Sequence, residues 1–234
     1  MNITNKFLTA GLVTAGTFAF SVPALAQDSG VAYAGGSVGD GANGYAGAVV
    51  ALPGARLGEG LALRAGGGGG KYRYEANGQR IDATYVNAEV ALVYQTSGDW
   101  GWANFSAGPR LTDTSLKPDD PGNRMRGTRI DAAVQTDGAL GNAWRLTWFG
   151  SLGINDRAYI TQARFGPLVD GGSDTRIGVE GGIQGDRSYT RRSVGGFVST
   201  RITGQWQGLV SGGITDQAGR NVKPYVALGV SRVF

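Results

Sequence analysis

The chain contains no cysteine and no histidine. Without cysteine there can be no disulfide, no thiol nucleophile and no Cys-based zinc or iron–sulfur site. Without histidine, Ser–His hydrolysis, imidazole acid–base catalysis and His-ligated metals are excluded. Charge is sparse as well: 17% of residues are Asp, Glu, Lys or Arg, against about 25% in an average globular protein. The formal net charge of +4 is dispersed along the chain, too weak a field to argue for nucleic acid as a partner. Helix signals are nearly missing. No segment sustains an apolar period of 3.6 residues, and Gly or β-branched residues interrupt each candidate. What is abundant is glycine, 42 of 234 residues, alongside 7 prolines.

The longest apolar run is the first one. Asn2 to Lys6 make a short basic start, an apolar stretch follows from Phe7 to about Ser21, and Val22-Pro23-Ala24-Leu25-Ala26 ends in an A-x-A site. The run is shorter than the ~20 residues that cross a bilayer as a helix, and Gly11 and Gly16 interrupt it. It reads as a secretory signal peptide over residues 1–26, cleaved after Ala26, which leaves 27–234 as one β-barrel domain. No Cys follows the site, so the chain is not a lipoprotein, and no later apolar run is long enough for a membrane helix.

Beyond that start the period is two. Val86, Ala88, Val90, Leu92 and Tyr94 share one face, with Asn87, Glu89 and Gln95 on the other. Ile130, Ala132 and Val134 alternate with Arg129, Asp131 and Gln135, and Trp144, Leu146, Trp148 and Leu152 with Arg145, Thr147 and Ser151. Ile177, Val179 and Ile183 alternate with Arg176, Glu180 and Gln184. Twelve strands are predicted, near 31–38, 45–52, 60–74, 81–95, 101–112, 127–136, 144–153, 158–167, 175–185, 188–202, 206–215 and 223–234. Turn-forming residues join them: Asp40-Gly41-Ala42-Asn43, Asn77-Gly78, Ser97-Gly98-Asp99, Asp137-Gly138, Asp170-Gly171-Gly172 and Gly219. A single connection, 113–126, is long. The pattern predicts an all-β fold, an up-and-down antiparallel β-barrel of about twelve strands.

Alternation alone does not say which face is inside, and a soluble barrel or sandwich would turn the apolar face inward. Three features favour a transmembrane barrel. The polar faces hold Arg64, Arg110, Arg129, Arg145, Arg164, Arg176, Arg191 and Arg201 with Glu89, Asp131 and Glu180, which are the candidates for lining a lumen. The opposite faces are almost uncharged, a band that suits lipid and would be an aggregation liability in water. Second, Trp100, Trp102, Trp144, Trp206 and Phe234 fall at one end of the strands. Tyr72, Tyr74, Tyr85, Tyr159, Tyr189 and Tyr225 fall near the other, so two aromatic girdles are expected. Third, the chain stops on a strand at Phe234. That ending resembles the C-terminal assembly signal of bacterial outer-membrane barrels, with Arg232 where an apolar residue is usual. The expected location is therefore the outer membrane of a Gram-negative bacterium, both ends in the periplasm and the long loop outside.

The interior arginines allow two readings. They could give a small-solute channel an anion preference, or pair with Glu89, Asp131 and Glu180 in a network that satisfies a closed interior. In Lys71-Tyr72-Arg73-Tyr74 the rings of Tyr72 and Tyr74 are candidates for a saccharide contact as well as for the girdle. The run Gly66 to Gly70 lacks the context of a phosphate loop and reads as curvature or close approach within a strand. Pro118-Asp119-Asp120-Pro121-Gly122-Asn123 reads as a stiffened, solvated loop rather than a calcium site. No catalytic residue, metal ligand or cofactor is assigned.

Several short pieces carry a family resemblance. They are Leu63-Arg64-Ala65-Gly66 leading to Lys71-Tyr72-Arg73-Tyr74, then Tyr94-Gln95, then Pro118 to Asn123 with Gly127, and Gly166-Pro167 leading to Arg176-Ile177-Gly178. Together they resemble the cellulose biosynthesis protein BcsS family, exported proteins encoded with bacterial cellulose synthase systems, from about residue 30 to the C-terminus. Leu168 departs from the acidic residue expected after Gly166-Pro167. The resemblance implies a non-catalytic accessory role in cellulose biosynthesis or exopolysaccharide export, and it carries over no catalytic residue. The implied partners are outer-membrane lipid and either cellulose or components of the synthase export system. The alternative is an anion-biased small-solute channel unrelated to cellulose.

Overall fold

The computed structural model describes residues 28–234 apart from 77, 188 and 218–220, so the signal peptide, the Asn77 half of the Asn77-Gly78 turn and the Gly219 turn lie outside the described residues. Twelve strands follow one another: β1 (Gly30–Val38), β2 (Ala42–Ala51), β3 (Gly60–Ala76), β4 (Gln79–Gly98), β5 (Gly101–Lys117), β6 (Gly127–Leu140), β7 (Trp144–Gly153), β8 (Tyr159–Asp170), β9 (Thr175–Gly185), β10 (Thr190–Thr203), β11 (Trp206–Gln217) and β12 (Lys223–Val233). Each pairs antiparallel with the next, and β1 pairs with β12 to close the barrel. Full closure leaves no unpaired sheet edge. At the seam Val31 faces Val233 and Val38 faces Val226. Phe234 finishes it: its amide donates to the Gly30 carbonyl at 2.9 Å, and its own carbonyl accepts from Ser29 and Gly30 at 2.8 and 3.0 Å.

The outer face is an apolar belt. Along β4 it consists of Val86, Ala88, Val90, Leu92 and Tyr94, a span close to the ~9–11 residues with which a tilted strand crosses a bilayer. Leu111, Ile130, Val134, Val179 and Val210 continue it around the barrel. At the end holding both termini the belt is edged by the exposed rings of Trp100, Trp144, Phe165, Trp206 and Phe234. Trp144 stacks on Phe165 with ring centroids 5.3 Å apart, and the Arg232 guanidinium sits 5.6 Å over the Trp206 ring. Arg232 thus lies in the aromatic edge, its charge over a ring face.

At the other end the wall is uneven. β3, β4 and β5 run to 17, 20 and 17 residues, while β1 and β2 have 9 and 10. The extra length stands above the belt, and there the outward residues turn polar: Lys71, Arg73, Asp82, Thr84, Asp113 and Thr128. Arg73 and Asp82 pair across β3 and β4 at 2.7 Å.

Several local expectations need correction. β5 continues to Lys117, so the long loop is 118–126, and 52–59 is a second extended connection, at the opposite end. Asp137-Gly138 is no turn; it lies inside β6, whose true turn follows at Gly141 with φ 82°. Tyr72, Tyr74, Tyr85 and Tyr189 do not form an outer girdle but are buried inside, and Tyr225 also faces inward. Trp102 shares the inward face of β5 with Asn104 and Ser106, so it does not belong to the outer aromatic edge.

Candidate functional site in the barrel interior

Because side chains alternate across a strand, the residues opposite the apolar belt all point into the barrel. They form ion-paired layers. At mid-height Arg64, on β3, reaches across two intervening strands to Asp137 and Gln135 on β6 and to Ser106 Oγ at 3.3 Å. Asp137 also accepts from Asn104 Nδ2 at 2.8 Å, and Asn104 Oδ1 from Gln95 at 3.2 Å. Gln135 in turn donates to Glu89 at 2.8 Å, and Glu89 takes Arg110 through two bonds of 2.9 and 2.7 Å. On the far wall Arg164 Nε donates to Glu180 at 2.8 Å, and the Tyr225 hydroxyl from β12 donates to the same carboxylate. Apart from the Gln95–Asn104 amide pair, these bonds have one or both partners ionised, which makes them the stronger class.

Toward the end with the termini, Asp174 projects from the β8–β9 turn and takes Arg145 at 3.3 Å and Arg176 at 3.0 Å. Asp174 has φ 46°, the left-handed region that Asp tolerates better than most residues. Toward the long-loop end Arg129 pairs with Asp156 at 2.6 Å and Arg191 with Asp40 at 3.5 Å. Asp131 makes no ion pair among the described residues; its carboxylate accepts the backbone amides of Asn155 at 2.9 Å and Asp156 at 3.3 Å. Arg201 differs from the other candidates. It is exposed at the rim, beside the register shift between Arg201 and Thr203, and joins none of these layers.

The interior is packed rather than open. Arg64 is 1% exposed and Glu180 3%, and Ala62 and Val93 are fully buried. A water-filled bore would wet all four. Apolar side chains fill the space between the polar layers: Tyr45, Phe197, Leu209 and Ala227 form one group, Val49, Ala62 and Val93 another. The tyrosine rings lie flat on the wall where glycines leave room. A Cβ at Gly195 would stand 2.6 Å from the Tyr225 hydroxyl, and one at Gly70 2.9 Å from the Tyr85 ring.

The long-loop mouth is covered from inside. Tyr72, Tyr74 and Tyr85 pack with Ile81, Leu116, Met125 and Ala158. Loop 118–126 is fastened to Tyr74, whose hydroxyl donates to Asp120 Oδ2 at 2.8 Å and accepts from Asn123 Nδ2 at 2.8 Å. Asp120 and Asn123 therefore hold the loop over the mouth, while Asp119 pairs within the loop with Arg126 at 3.1 Å. Tyr189, between β9 and β10, is buried, and burial pushes its phenol above the usual tyrosine range. Tyr72 and Tyr74 are thus covered, not presented at a surface.

Asp137, Asp156, Asp174 and Asp40 complete the layers and were absent from the sequence candidates. Asp137 shares its parity with Asp131 and Gln135, a signal the sequence contains. The other three lie in connections, where alternation says nothing.

A closed meander with an apolar exterior and an ion-paired interior defines a β-barrel of the outer-membrane type. Solved barrels are similar to this chain. The beta domain of the Bordetella autotransporter BrkA is similar at 12% identity and TM-score 0.54, over 88% of this chain and 100% of that one. The translocator domain of the autotransporter NalP from Neisseria meningitidis (13%, 0.49, 90% of each chain) is another. The KdgM porin in complex with disordered oligogalacturonate (14%, 0.45, 88% and 99%) is a third. No curated protein sequence matches the chain. The model of the family described as cellulose biosynthesis protein BcsS matches residues 31–234, and the chain belongs to that family.

Proposed function

We propose that the protein is a non-catalytic accessory barrel of the outer membrane in cellulose-producing Gram-negative bacteria, acting in glucan export as a scaffold rather than as a pore. Membership of a cellulose biosynthesis family supports the pathway. The apolar belt with its aromatic edge supports lipid contact. In this reading residues 1–26 direct export and are removed, both termini face the periplasm, and loop 118–126 lies outside.

The observation that favours a scaffold over a channel is the pairing of the interior arginines. Arg64, Arg110, Arg129, Arg145, Arg164, Arg176 and Arg191 each have a carboxylate partner. These seven cations share six carboxylates, Asp174 serving both Arg145 and Arg176, so the wall offers an anion little net field. The packed mid-height leaves no room for a threaded chain.

Two measurements test this. Deletion in the native bacterium should lower secreted cellulose, or mislocate it, with synthase activity in isolated membranes unchanged. The purified barrel in a planar bilayer should show no steady conductance. Stable anion-selective openings, with cellulose output unaffected by the deletion, would instead support the small-solute channel.

A further inference from the structure

The covering of the mouth is incomplete. Tyr72 and Tyr74 sit under the long loop beside the tall β3–β6 wall, but on the low side the barrel keeps a cavity of about 110 Å³ between β1, β2 and β8–β12. The short β1–β2 turn at Gly39 to Gly41 forms part of its rim. It narrows toward Tyr45 and Ile160, beyond which lies a separate void of about 30 Å³. That void has room for ordered water only.

The lining has a definite chemistry. Tyr45 and Tyr225 contribute two rings. Asn43, Gln162 and Gln184 contribute planar amides, each able to donate and accept. Asn43 uses one N–H on Ser37 Oγ at 2.7 Å, and Gln162 reaches Glu180 only at 3.4 Å, so most of this hydrogen-bonding capacity is uncommitted. The inward cation, Arg191, is balanced by Asp40 across the cavity at 3.5 Å. Arg192 belongs to the outer face of β10. Among the described residues, a ligand inside the cavity meets amides, ring faces and one compensated cation, with Arg192 at its outer edge.

That combination fits a molecule with apolar flat faces, an equatorial ring of hydroxyls and no charge. Size limits it further. An enclosed cavity of about 150 Å³ holds one benzene ring; this one is smaller but open, so it takes in part of a single terminal six-membered ring, the remainder standing in solvent, and not a run of them. We propose that this cavity is a binding site for a single uncharged pyranose unit, the end of a glucan chain. The inference rests on the outer-membrane cellulose reading for the source of the sugar. It gives the scaffold a way to hold an emerging glucan by its end without threading it.

The absence of cysteine makes a direct test available. Ser193→Cys puts a unique thiol in the cavity wall, and Ser97→Cys puts one at the opposite end of the barrel. The refolded full chain is alkylated with a small maleimide, with and without cellotriose; heat-dependent gel mobility checks that each variant has folded. At a sugar concentration about ten times Kd, modification of Ser193→Cys should slow roughly tenfold, as mass action requires. Ser97→Cys should be unaffected. Adding Gln184→Ala to Ser193→Cys should raise Kd about five- to tenfold, the loss of one hydrogen bond, so that at the same sugar concentration the slowing falls to roughly two- to threefold. No protection, equal protection at both thiols, or equal protection by a charged galacturonate trimer each overturns the site. If protection fails while the deletion strain still loses secreted cellulose, the site falls and the accessory role stands. Protection in a strain whose deletion leaves cellulose unchanged upholds the site and overturns that role.

Discussion

Replacing Arg64 with methionine separates a dry, packed interior from a wet bore. The Arg64 side chain is 2% exposed and that of Asp137 is 12% exposed. The guanidinium also holds Gln135 and Ser106. Arg64→Met keeps most of the volume and leaves the Asp137 carboxylate with the Asn104 amide alone. Breaking a buried pair by removing one partner costs about 3–5 kcal/mol, a few hundred- to a few thousand-fold in the unfolding constant. The same pair in a water-filled lumen would be worth about 0.2–1 kcal/mol. The two cases differ by more than the usual error of a denaturant titration. Urea unfolding of the barrel in bilayers, followed by tryptophan emission and gel mobility, measures the loss. The double variant Arg64→Met with Asp137→Leu removes both charges and should cost clearly less than the sum of the singles. If Arg64→Met costs under about 1 kcal/mol and adds simply to Asp137→Leu, the lumen is wet and the argument for a scaffold loses its main support.

Other consequences are open to the same assays. Val90→Arg, at the middle of the apolar belt, should cost about 2–4 kcal/mol in a bilayer, whereas Thr84→Arg, in the polar wall above the belt, should cost close to nothing; equal costs would mean the belt is misplaced. Gly195→Val should strain the backbone at the Gly212 carbonyl and push Tyr225 from the wall and from Glu180, lowering stability by about 1–3 kcal/mol or more. Tyr74→Phe with Asn123→Ala removes the ties on loop 118–126 and should raise protease cleavage of that loop without unfolding the barrel; an unchanged cleavage rate would mean other contacts hold it.

The fold was legible because one signal, period two, ran through nearly the whole chain and needed no partner to be read. Its faces were legible for the same reason: Val86 to Tyr94 turned outward and Glu89 inward as alternation requires. The tyrosines show how one such signal can be overridden by another. Tyr72 and Tyr74 share the parity of Arg64 on β3, and Tyr85 that of Glu89 on β4, so their inward direction was written in the alternation. Aromatic height along the strand suggested a girdle instead, but height carries no information about face. The Asp137-Gly138 pair shows a different limit. Its composition signals a turn, but both residues pair with β5 on one side and β7 on the other, and the Asp137 carboxylate is taken by Arg64, 73 residues earlier in the chain.

The ion-pair partners lie beyond sequence reading for a geometric reason. Neighbouring strands can be paired from register, but Arg64 with Asp137 and Glu180 with Tyr225 each join strands three apart across the curve of the wall. The curvature that brings them together exists only after closure. The same holds for Asp174, Asp156 and Asp40, which come from turns and reach inward over the rims. Each rim is therefore tied to the interior by a turn carboxylate on a strand arginine, at both ends of the barrel. A pore that conducts freely has reason to keep its mouths clear of such ties. A barrel that holds a shallow cavity at its long-loop end, and presents the rest of itself as a fixed surface, has reason to keep them.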